Sequence, residues 1–375
     1  MKQGWEIKKL GEICTITMGQ SPSSDTYNES DGLPFFQGNA DFGKVHPKVR
    51  VYCNAPIRIA DTNDILISVR APIGAINIAN CKCCIGRGLA SIRTLDATIG
   101  TYIYHSLIAN KEKLIAQGTG STFKSIGKDA LKELSIPVPP LPEQEKIVAE
   151  LDCLSGIIEK KREQLKELDA LAESIFYTMF GDPITNEKGW EVKKLGEVGK
   201  VITGNTPSTK DEENYSSNDY CFVKPSDIGK DYVTNIEKTE FYISEKAFSQ
   251  SRKLCKGSVL TTCIGIIGKV GILKVDATCN QQINAIQPND NYISEYVAWA
   301  IYLTRSVIEE IANAPVVPII NKGEFSNIVI PLPPKDLQQK FADKIESIEK
   351  QKELIKQSIA QTEELFNSRM AYYFN

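Results

Sequence analysis

The chain has 375 residues, of which 42% are apolar and 24% charged, and its formal net charge at pH 7 is -3. This composition is typical of a folded protein with about two or three domains and excludes a disordered chain. No stretch reaches the ~18 consecutive apolar residues of a membrane helix, and the opening residues lack the apolar core of a secretion signal. We therefore expect a cytoplasmic protein without a membrane-spanning helix.

The opening of the chain returns in its middle. The sequence WEIKKLGEI at residues 5–13 reappears as WEVKKLGEV at residues 190–198, and GQSPS from Gly19 reappears as GNTPS from Gly204. We expect both glycines to occupy turns with positive φ. An internal repeat of this kind predicts two similarly folded halves.

Each half begins with about 135 residues of mixed secondary structure. Short β-rich runs, such as residues 65–69 and 259–263, are broken by Gly, Pro, Asn and Asp, and helical stretches are predicted at residues 103–116 and 296–312. These patterns indicate an α+β unit in each half. The displacement between the halves grows along the chain, which places an insertion of about nine residues in a surface region of the second half.

A proline run followed by a helical pattern closes each half. IPVPPLPEQEKIV at residues 136–148 has a weaker copy, IPLPPKDLQQKF, at residues 330–341. Pro142 suits a first helical turn, and Asp336 with Gln339 resembles a capping box. The heptad stripes that follow are Ile147, Leu151, Leu154, Ile158, Lys161, Leu165, Leu168, Ala172, Ile175 and Met179, then Phe341, Ile345, Ile348, Lys352, Ile355, Ile359, Thr362 and Phe366. They predict two long helices whose apolar stripes are each interrupted by one lysine, which we expect to fix the pairing register.

Two narrow apolar stripes are best buried when the helices pair with each other. A parallel pair would bring the two globules together, whereas the near-identical halves favour an antiparallel pair with the globules at opposite ends. A helix of about 35 residues spans roughly 50 Å, or at most about fifteen base pairs of DNA. The sequence therefore predicts an α+β fold with two β-rich domains in tandem repeat, separated by two long antiparallel coiled-coil helices with pseudo-two-fold symmetry.

These repeated motifs, together with GDPITNEKGW at residues 181–190, closely resemble the specificity (S) subunit of type I restriction-modification systems over essentially the whole chain. The resemblance implies target-recognition domains at residues 1–140 and 182–334, a central helical region at 141–181 and a distal one at 335–375. The second proline run departs from the family phrase at Lys335, Asp336 and Leu337. We therefore do not expect both junctions to contact a partner identically.

The resemblance also implies the task. An S subunit is not catalytic and binds a bipartite, asymmetric target in double-stranded DNA. It is implied to dock two methyltransferase (M) subunits, which use S-adenosylmethionine to methylate adenine, and two ATP-driven restriction (R) subunits join them in the full complex. No cofactor is expected on this chain itself.

Side chains that read DNA must offer donors and acceptors to base edges. Polar residues of the first domain with this ability are Gln20, Ser23, Gln37, Asn39, Lys44, Arg70, Arg87, Ser121, Thr122 and Lys124. Those of the second domain are Asn205, Ser208, Lys210, Lys224, Ser226, Lys230, Lys269, Asn280, Gln281, Gln282, Asn321 and Lys322. Each of them can equally be an ordinary surface or turn residue.

Two of these groups are the sharpest candidates. Arg70 follows an apolar strand, and an arginine there can pair bidentately with guanine, although it can also form a salt bridge at the strand end. Asn280, Gln281 and Gln282 carry the amides that suit adenine, although amides in β-rich segments also cap strands. Outside the two helical segments the chain carries a net charge of about +2, which permits DNA binding without demanding it.

Metal binding and catalysis find little support in the sequence. Cys81, Cys83 and Cys84 lack a second cysteine or histidine pair that would complete a zinc site, so we expect buried thiols and no metal. The chain has two histidines, His46 and His105, and lacks both the Asp/Asn-Pro-Pro-Tyr/Phe segment of adenine methyltransferases and a phosphate-binding loop. We expect no catalytic residues.

Two other functions remain open at this level. The chain can be a coiled-coil scaffold whose globules bind protein rather than DNA, or the recognition part of a split nuclease-methyltransferase. A DNA reader must select a two-part motif and bind less tightly as salt rises, which a protein scaffold need not do.

Overall fold

Each half of the repeat contributes to its own unit in the structure, a computed structural model that describes residues 4–95, 98–118, 125–230, 232–312 and 317–374. Unit 1 comprises Met1–Arg162 and Gln357–Asn375, and unit 2 comprises Glu163–Lys356. The division crosses both long helices, so each unit contains one β-rich globule and a segment of each helix. The division into four domains, which assigns each helix to a region of its own, stays a prediction.

The elements of unit 1 are short strands with four small helices and one long helix. The strands are β1 Glu6–Lys9, β2 Cys14–Met18, β3 Tyr27–Asn28, β4 Leu33–Phe36, β5 Tyr52–Cys53, β6 Ile59–Ala60, β7 Ile65–Ser68, β8 Ile76–Ile78, β9 Cys83–Ile85, β10 Leu89–Thr94 and β11 Ser135–Val138. The helices are α1 Leu10–Ile13, α2 Gly100–Ala109, α3 Lys111–Ala116, α4 Lys128–Lys132 and α5 Leu141–Phe180, whose last part belongs to unit 2.

Unit 2 has a similar order, with one helix more among its strands. Its strands are β12 Val192–Lys194, β13 Gly199–Thr203, β14 Tyr220–Val223, β15 Thr234–Ile236, β16 Tyr242–Ile243, β17 Val259–Thr262, β18 Val270–Leu273, β19 Ala277–Cys279, β20 Ile283–Pro288 and β21 Val329–Pro331. Its helices are α6 Leu195–Val198, α7 Glu245–Gln250, α8 Ser294–Leu303, α9 Arg305–Ile311, α10 Lys322–Asn327 and α11 Lys335–Phe374, whose last part belongs to unit 1.

The two globules share their central sheet topology. The strand order β2-β10-β7-β8 in unit 1 corresponds to β13-β20-β17-β18-β15 in unit 2. A second sheet has the order β3-β5-β4-β9-β6 in unit 1 and β16-β14-β19 in unit 2, with a parallel β4/β9 pair matched by a parallel β14/β19 pair. The predicted α+β fold with two tandem β-rich domains is confirmed.

The predicted helical stretches at residues 103–116 and 296–312 each form two helices. α2 ends before Asn110, whose side-chain amide donates to the Ser106 carbonyl at 2.8 Å, and α8 ends before Thr304, whose hydroxyl donates to the Ala300 carbonyl at 2.9 Å. Both polar side chains are buried. A short polar side chain that bonds to the carbonyl four residues back competes with the helix ladder, which accounts for the break at the same place in each unit.

A buried glutamine joins each long helix to its globule. Gln144, in the first turn of α5, donates to the Pro139 carbonyl at 2.9 Å and accepts from the Ile99 amide at 3.0 Å. The Ile99 amide lies at the start of α2, where helix donors have no partner within the helix. Gln144 is fully buried, so these bonds are shielded from water.

The same junction is built at the second proline run. Gln338 donates to the Pro333 carbonyl at 2.8 Å and accepts from the Ile293 amide, at the start of α8, at 3.0 Å. The capping box predicted from Asp336 and Gln339 is wrong, because α11 begins at Lys335 and Asp336 already lies in its first turn. The side chain that secures this helix start is Gln338, two residues later.

One tyrosine in each globule bonds to the proline run before one long helix and packs on the end of the other. Tyr102 donates to the Pro137 carbonyl, just before α5, at 2.6 Å, and its ring lies 5.2 Å from the ring of Phe374 at the end of α11. Tyr296 donates to the Pro331 carbonyl at 2.7 Å and lies 4.8 Å from the Phe180 ring at the end of α5. In each unit, therefore, the start of one long helix and the end of the other pack on the same globule.

The segments of α5 and α11 in unit 1 run antiparallel. Arg369 Nε donates to a Glu150 carboxylate oxygen at 2.5 Å, and Lys161 Nζ donates to the Ser358 hydroxyl at 2.5 Å. The partner residue number on α11 thus falls as the number on α5 rises. Lys161 is half-buried and bonds to hydroxyl and carbonyl oxygens, so it forms a polar layer within the apolar stripe.

The segments in unit 2 also run antiparallel, since Phe180 at the end of α5 contacts Phe341 near the start of α11, and their lysine is more deeply buried. Lys352, only 5% exposed, donates to Asp169 on α5 and to Glu349 on its own helix, both at 2.7 Å. Burial alone lowers the Lys352 pKa, but the two hydrogen-bonded carboxylates outweigh it, so its pKa is raised. The predicted pairing of two long antiparallel helices is confirmed. Separately, none of the helices in the described ranges is long and apolar enough to cross a lipid bilayer.

The buried histidine of unit 1 links α2 to α5. His105 Nε2 lies 2.8 Å from Asp152 Oδ1, and its Nδ1 has no hydrogen-bond partner among the described residues. The Phe366 ring of α11 approaches it edge-on at 6.4 Å. Burial lowers the pKa of His105, and the Asp152 carboxylate offsets this effect only in part.

Replacing Lys352 with alanine is expected to destabilise the protein by about 3 kcal/mol, because it leaves two carboxylates without their cation in a buried layer. Lys350→Ala removes a lysine from an exposed i,i+4 pair on the same helix and serves as the matched control, with a change within experimental error. Urea unfolding followed by circular dichroism measures both. Equal effects of the two variants would contradict the buried ionic layer.

His105 is expected to make the protein less stable in mild acid. Because its folded-state pKa is lowered, the unfolded chain binds the proton more readily, and stability is lost as the pH falls through about 6.5. The measurement compares the free energy of unfolding of the wild type and His105→Gln between about pH 7.5 and pH 5.5. We expect a smaller loss in the variant, and identical pH profiles would refute the assignment.

Candidate nucleic-acid interface

In unit 1, four chain turns meet at one end of the two sheets and are fixed to one another by main-chain hydrogen bonds. Gly19 N donates to Leu89 O at 2.9 Å and Gln20 N to Ile85 O at 3.0 Å. Gly86 N donates to Phe36 O at 2.8 Å, and Val69 N to Gly88 O at 2.9 Å. We call residues 19–21, 37–39, 70–71 and 86–88 the first turn cluster.

Unit 2 builds the same arrangement from the corresponding residues. Gly204 N donates to Ile283 O at 3.0 Å and Asn205 N to Cys279 O at 2.9 Å. Asn280 N donates to Val223 O at 3.1 Å, and Cys263 N to Gln282 O at 2.8 Å. Residues 204–206, 224–226, 264–265 and 280–282 form the second turn cluster, which is held by the same four contacts as the first.

The glycines of GQSPS and GNTPS are required for close packing, not for positive φ. Neither Gly19 nor Gly204 is among the described residues with positive φ, so that expectation is wrong. A Cβ on Gly19 would lie 2.2 Å from the Gly86 carbonyl oxygen, and a Cβ on Gly204 would lie 2.2 Å from the Asn280 carbonyl oxygen. Only glycine lets these turns approach so closely.

The first turn cluster surrounds a polar cavity of about 210 Å³. Four predicted residues, Gln37, Asn39, Arg70 and Arg87, line it. Gln37, Arg70 and Arg87 are exposed and Asn39 is half-buried. Neither guanidinium group forms a hydrogen bond or ion pair with another described residue, so both can offer their donors to a ligand.

The second turn cluster presents amides. Gln281 is exposed, and its Oε1 accepts from the Thr206 hydroxyl at 2.6 Å. Asn280 is buried, with its amide group donating to Gln282 at 2.9 Å, so it stabilises the turn. Asn205 is half-buried and accepts from the Arg252 main-chain amide at 2.9 Å. Of these three amide side chains, Gln281 is the most exposed to solvent.

A basic cavity of about 460 Å³ adjoins the second turn cluster. Three basic residues, Lys230, Lys269 and Arg305, and one acidic residue, Glu309, line it. Lys269 Nζ donates to the Pro225 carbonyl at 2.9 Å. Arg305 donates to the Tyr302 hydroxyl at 3.1 Å. Arg305 was not among the predicted residues, because residues 296–312 were predicted to form one helix. The helix break at Thr304, had it been recognised, would have placed Arg305 at a helix start.

Several predicted residues lie apart from the cavities. Lys44 pairs with Glu159 on α5, Lys224 Nζ lies 3.0 Å from the centroid of the Phe241 ring, and Asn321 caps α10. Gln20 and Ser226 are exposed members of the turn clusters, and Lys322 is exposed at the start of α10. Ser23, Ser208 and Lys210 are exposed on loops outside the clusters. Ser121, Thr122 and Lys124 lie outside the described residues.

Of the three neighbouring cysteines, Cys83 and Cys84 pack as apolar residues, whereas Cys81 is half-buried, so the expectation of a buried thiol is wrong there. Cys83 and Cys84 are both buried and belong to separate apolar clusters, since successive strand residues face opposite sides of the sheet. Burial raises the pKa of the Cys83 thiol to about 12. Within the described ranges, no three His, Cys, Asp or Glu residues are placed to hold a metal ion.

Guanidinium and amide groups held at the tips of a rigid frame suit the recognition of hydrogen-bonding edges. Arginine presents two parallel donors, and glutamine presents a donor beside an acceptor. Such groups match the edges of bases in a DNA groove, and nearby lysines suit phosphates. Each unit therefore contains a candidate nucleic-acid interface built on the same backbone plan.

Comparison with known proteins agrees with this repeat. Residues 2–169 and 187–364 match the family described as type I restriction modification DNA specificity domain. Over 177 residues, 46% of this chain and 42% of its relative, the sequence is 41% identical to an MjaX type I restriction enzyme specificity subunit of Methanocaldococcus jannaschii. This match thus spans less than half of that relative's length.

Two further comparisons extend over nearly the whole chain. The sequence is 27% identical to the MjaIX type I restriction enzyme specificity subunit of the same organism, over 90% of this chain and 85% of that protein. A solved structure concerned with complex assembly and conformational transition of the type I restriction-modification system matches with a TM-score of 0.64 and 19% identity, covering 100% of this chain and 98% of that one. This likeness concerns the fold. The chain belongs to the type I restriction modification DNA specificity domain family.

Proposed function

We propose that this chain is the sequence-specific DNA-binding subunit of a type I restriction-modification complex and that it recognises a bipartite, asymmetric target. The observation that carries this proposal is the turn cluster, which is built twice on one backbone plan with different side chains. Two such readers would select two different half-sites. On this proposal residues 1–140 and 182–334 are target-recognition domains, and residues 141–181 and 335–375 are helical regions.

The proposed contacts divide by chemistry. Exposed groups at the turn tips, such as Arg70, Arg87 and Gln281, would read base edges, because they offer directional donors and acceptors. Lys230 and Arg305, which line the basic cavity, would contact phosphates, which sets position rather than sequence. The remaining predicted polar residues stay proposals as secondary contacts.

We propose that the chain is not an enzyme and instead directs adenine methylation and restriction by partner M and R subunits in the cytoplasm. The exposed surface of the helices supports such partners. Ile157 and Leu365 in unit 1 are 37% and 48% exposed, and Leu171 and Leu354 in unit 2 are 47% and 66% exposed. Apolar side chains repeated on a helix surface suit a protein interface.

The central test is selection from random DNA. The chain, alone and with its M subunits, is expected to enrich a motif of two short specified parts separated by an unspecified segment. Affinity should fall about a thousandfold between about 50 and 200 mM salt if some six phosphates are contacted. Selection of no motif, with binding to proteins only, would favour the scaffold function instead.

The length of the helices is expected to set the length of the unspecified segment. Deleting residues 162–168 and 353–359 removes one heptad from each helix where they pair, and keeps Lys352 with Asp169. The deletion shortens each helix by roughly 10 Å, so we expect the segment to shorten by about three base pairs.

The control is a deletion in one helix alone, which breaks the pairing register and should destabilise the protein. Sequencing of the selected DNA gives the motif of each variant. A double deletion that folds and keeps the original segment length would contradict this role of the helices.

A further inference from the structure

Arg87 in unit 1 and Gln281 in unit 2 occupy equivalent positions. Arg87 follows Gly86, whose main-chain amide donates to the Phe36 carbonyl at the end of β4. In the same way, Gln281 follows Asn280, whose amide donates to the Val223 carbonyl at the end of β14. The next residues along the chain, Gly88 and Gln282, accept hydrogen bonds at their carbonyls from the Val69 and Cys263 amides, which directly follow β7 and β17. The two side chains therefore leave the same point of the same frame.

A hydroxyl from the same neighbouring turn contacts both residues. The Arg87 main-chain amide donates to the Ser21 hydroxyl at 3.2 Å, and Gln281 Oε1 accepts from the Thr206 hydroxyl at 2.6 Å. Ser21 and Thr206 are equivalent residues of the two repeated segments. The contact holds the main chain of the tip in unit 1 and the side-chain amide itself in unit 2. Gln281 keeps its NH₂ group and the second lone pair of Oε1 for a ligand.

The turns that follow β7 in unit 1 and β17 in unit 2 also carry different side chains. Arg70 follows β7 and forms a bridge with Ser125, and Ile264 follows β17 and forms the same kind of bridge with Ile319. The first turn cluster thus presents two arginines, whereas the second presents a glutamine and an isoleucine at the same two positions. In the major groove, arginine pairs with guanine O6 and N7, and glutamine pairs with adenine N6 and N7.

We propose that residues 87 and 281 are equivalent base-reading positions, at which unit 1 selects guanine through Arg87 and unit 2 selects adenine through Gln281. This inference rests on the proposed function and adds the base class read at one position of each half-site. The exposed side chains determine which base is selected, and the main-chain hydrogen bonds shared by the two turn clusters fix where each side chain lies.

The test is selection from random DNA with the wild type, Arg87→Gln and Gln281→Arg, each in complex with its M subunits. Arg87→Gln is expected to replace one guanine of one half-motif with adenine, and Gln281→Arg one adenine of the other half-motif with guanine. Binding of each variant to the wild-type motif should weaken about tenfold or more. The unchanged half-motif reports in each case that the variant is folded.

Arg58→Gln and Gln250→Arg are the matched controls, since both residues are exposed in the same two units and lie outside the turn clusters. Both controls should keep the wild-type motif. If the wild type selects a two-part motif and the exchanges at 87 and 281 leave every base preference intact, this inference is overturned alone. If the wild type selects no two-part motif, both the proposed function and this inference are refuted.

Discussion

The constraint on which the structure depends is the attachment of each long helix to its globule through a buried glutamine. Gln144 and Gln338 each satisfy a carbonyl of the proline run and an amide at the start of a globule helix. A buried amide side chain with unmet bonds is costly, so helix and globule must keep one relative arrangement. The prolines add stiffness, because they hold the chain extended up to the helix start.

The two units combine one frame with different surfaces. The contacts that hold the turn clusters are main-chain hydrogen bonds, which nearly any residue can make, and close approaches at Gly19 and Gly204 that only glycine allows. The exposed side chains at the tips of the turns make neither of these two kinds of contact, and the two units differ in these side chains. The polar layers of the helices differ too, with hydroxyls around Lys161 and carboxylates around Lys352.

The sequence predicted the architecture because its signals were local. The repeated motifs, the proline runs and the heptad stripes each lie within a short segment, and they indicated the tandem domains and both long helices. Ile147, Leu151 and Phe341 are buried as the stripes predict. Near the end of α5 the stripe is displaced by one residue, because the predicted Ile175 and Met179 are half-buried whereas Phe176 and Phe180 are fully buried. Local periodicity suffices for such features because it follows from helix geometry alone.

Features that depend on distant residues could not be predicted in this way. Gln144 meets an amide 45 residues away, and Gly19 faces a carbonyl from a separate turn. The helix break at Thr304 is local by contrast, since its hydroxyl contacts the Ala300 and Ile301 carbonyls, but the helical pattern of residues 296–312 gave no sign of it. For the candidate site, Arg70, Arg87 and Gln281 were predicted from the sequence. That Arg87 and Gln281 occupy equivalent positions became clear only from the main-chain hydrogen bonds of the two turn clusters.

The exposed tips also matter for how such a protein evolves. A substitution at Arg87 or Gln281 removes no packed atoms from a core, and changes at positions of this kind usually alter stability by less than about 0.5 kcal/mol. New variants can therefore arise without passing through misfolded ancestors. If the proposed function holds, duplication of one unit followed by substitutions at a few solvent-facing sites would be enough to change which ligand each unit prefers, with the scaffold unchanged.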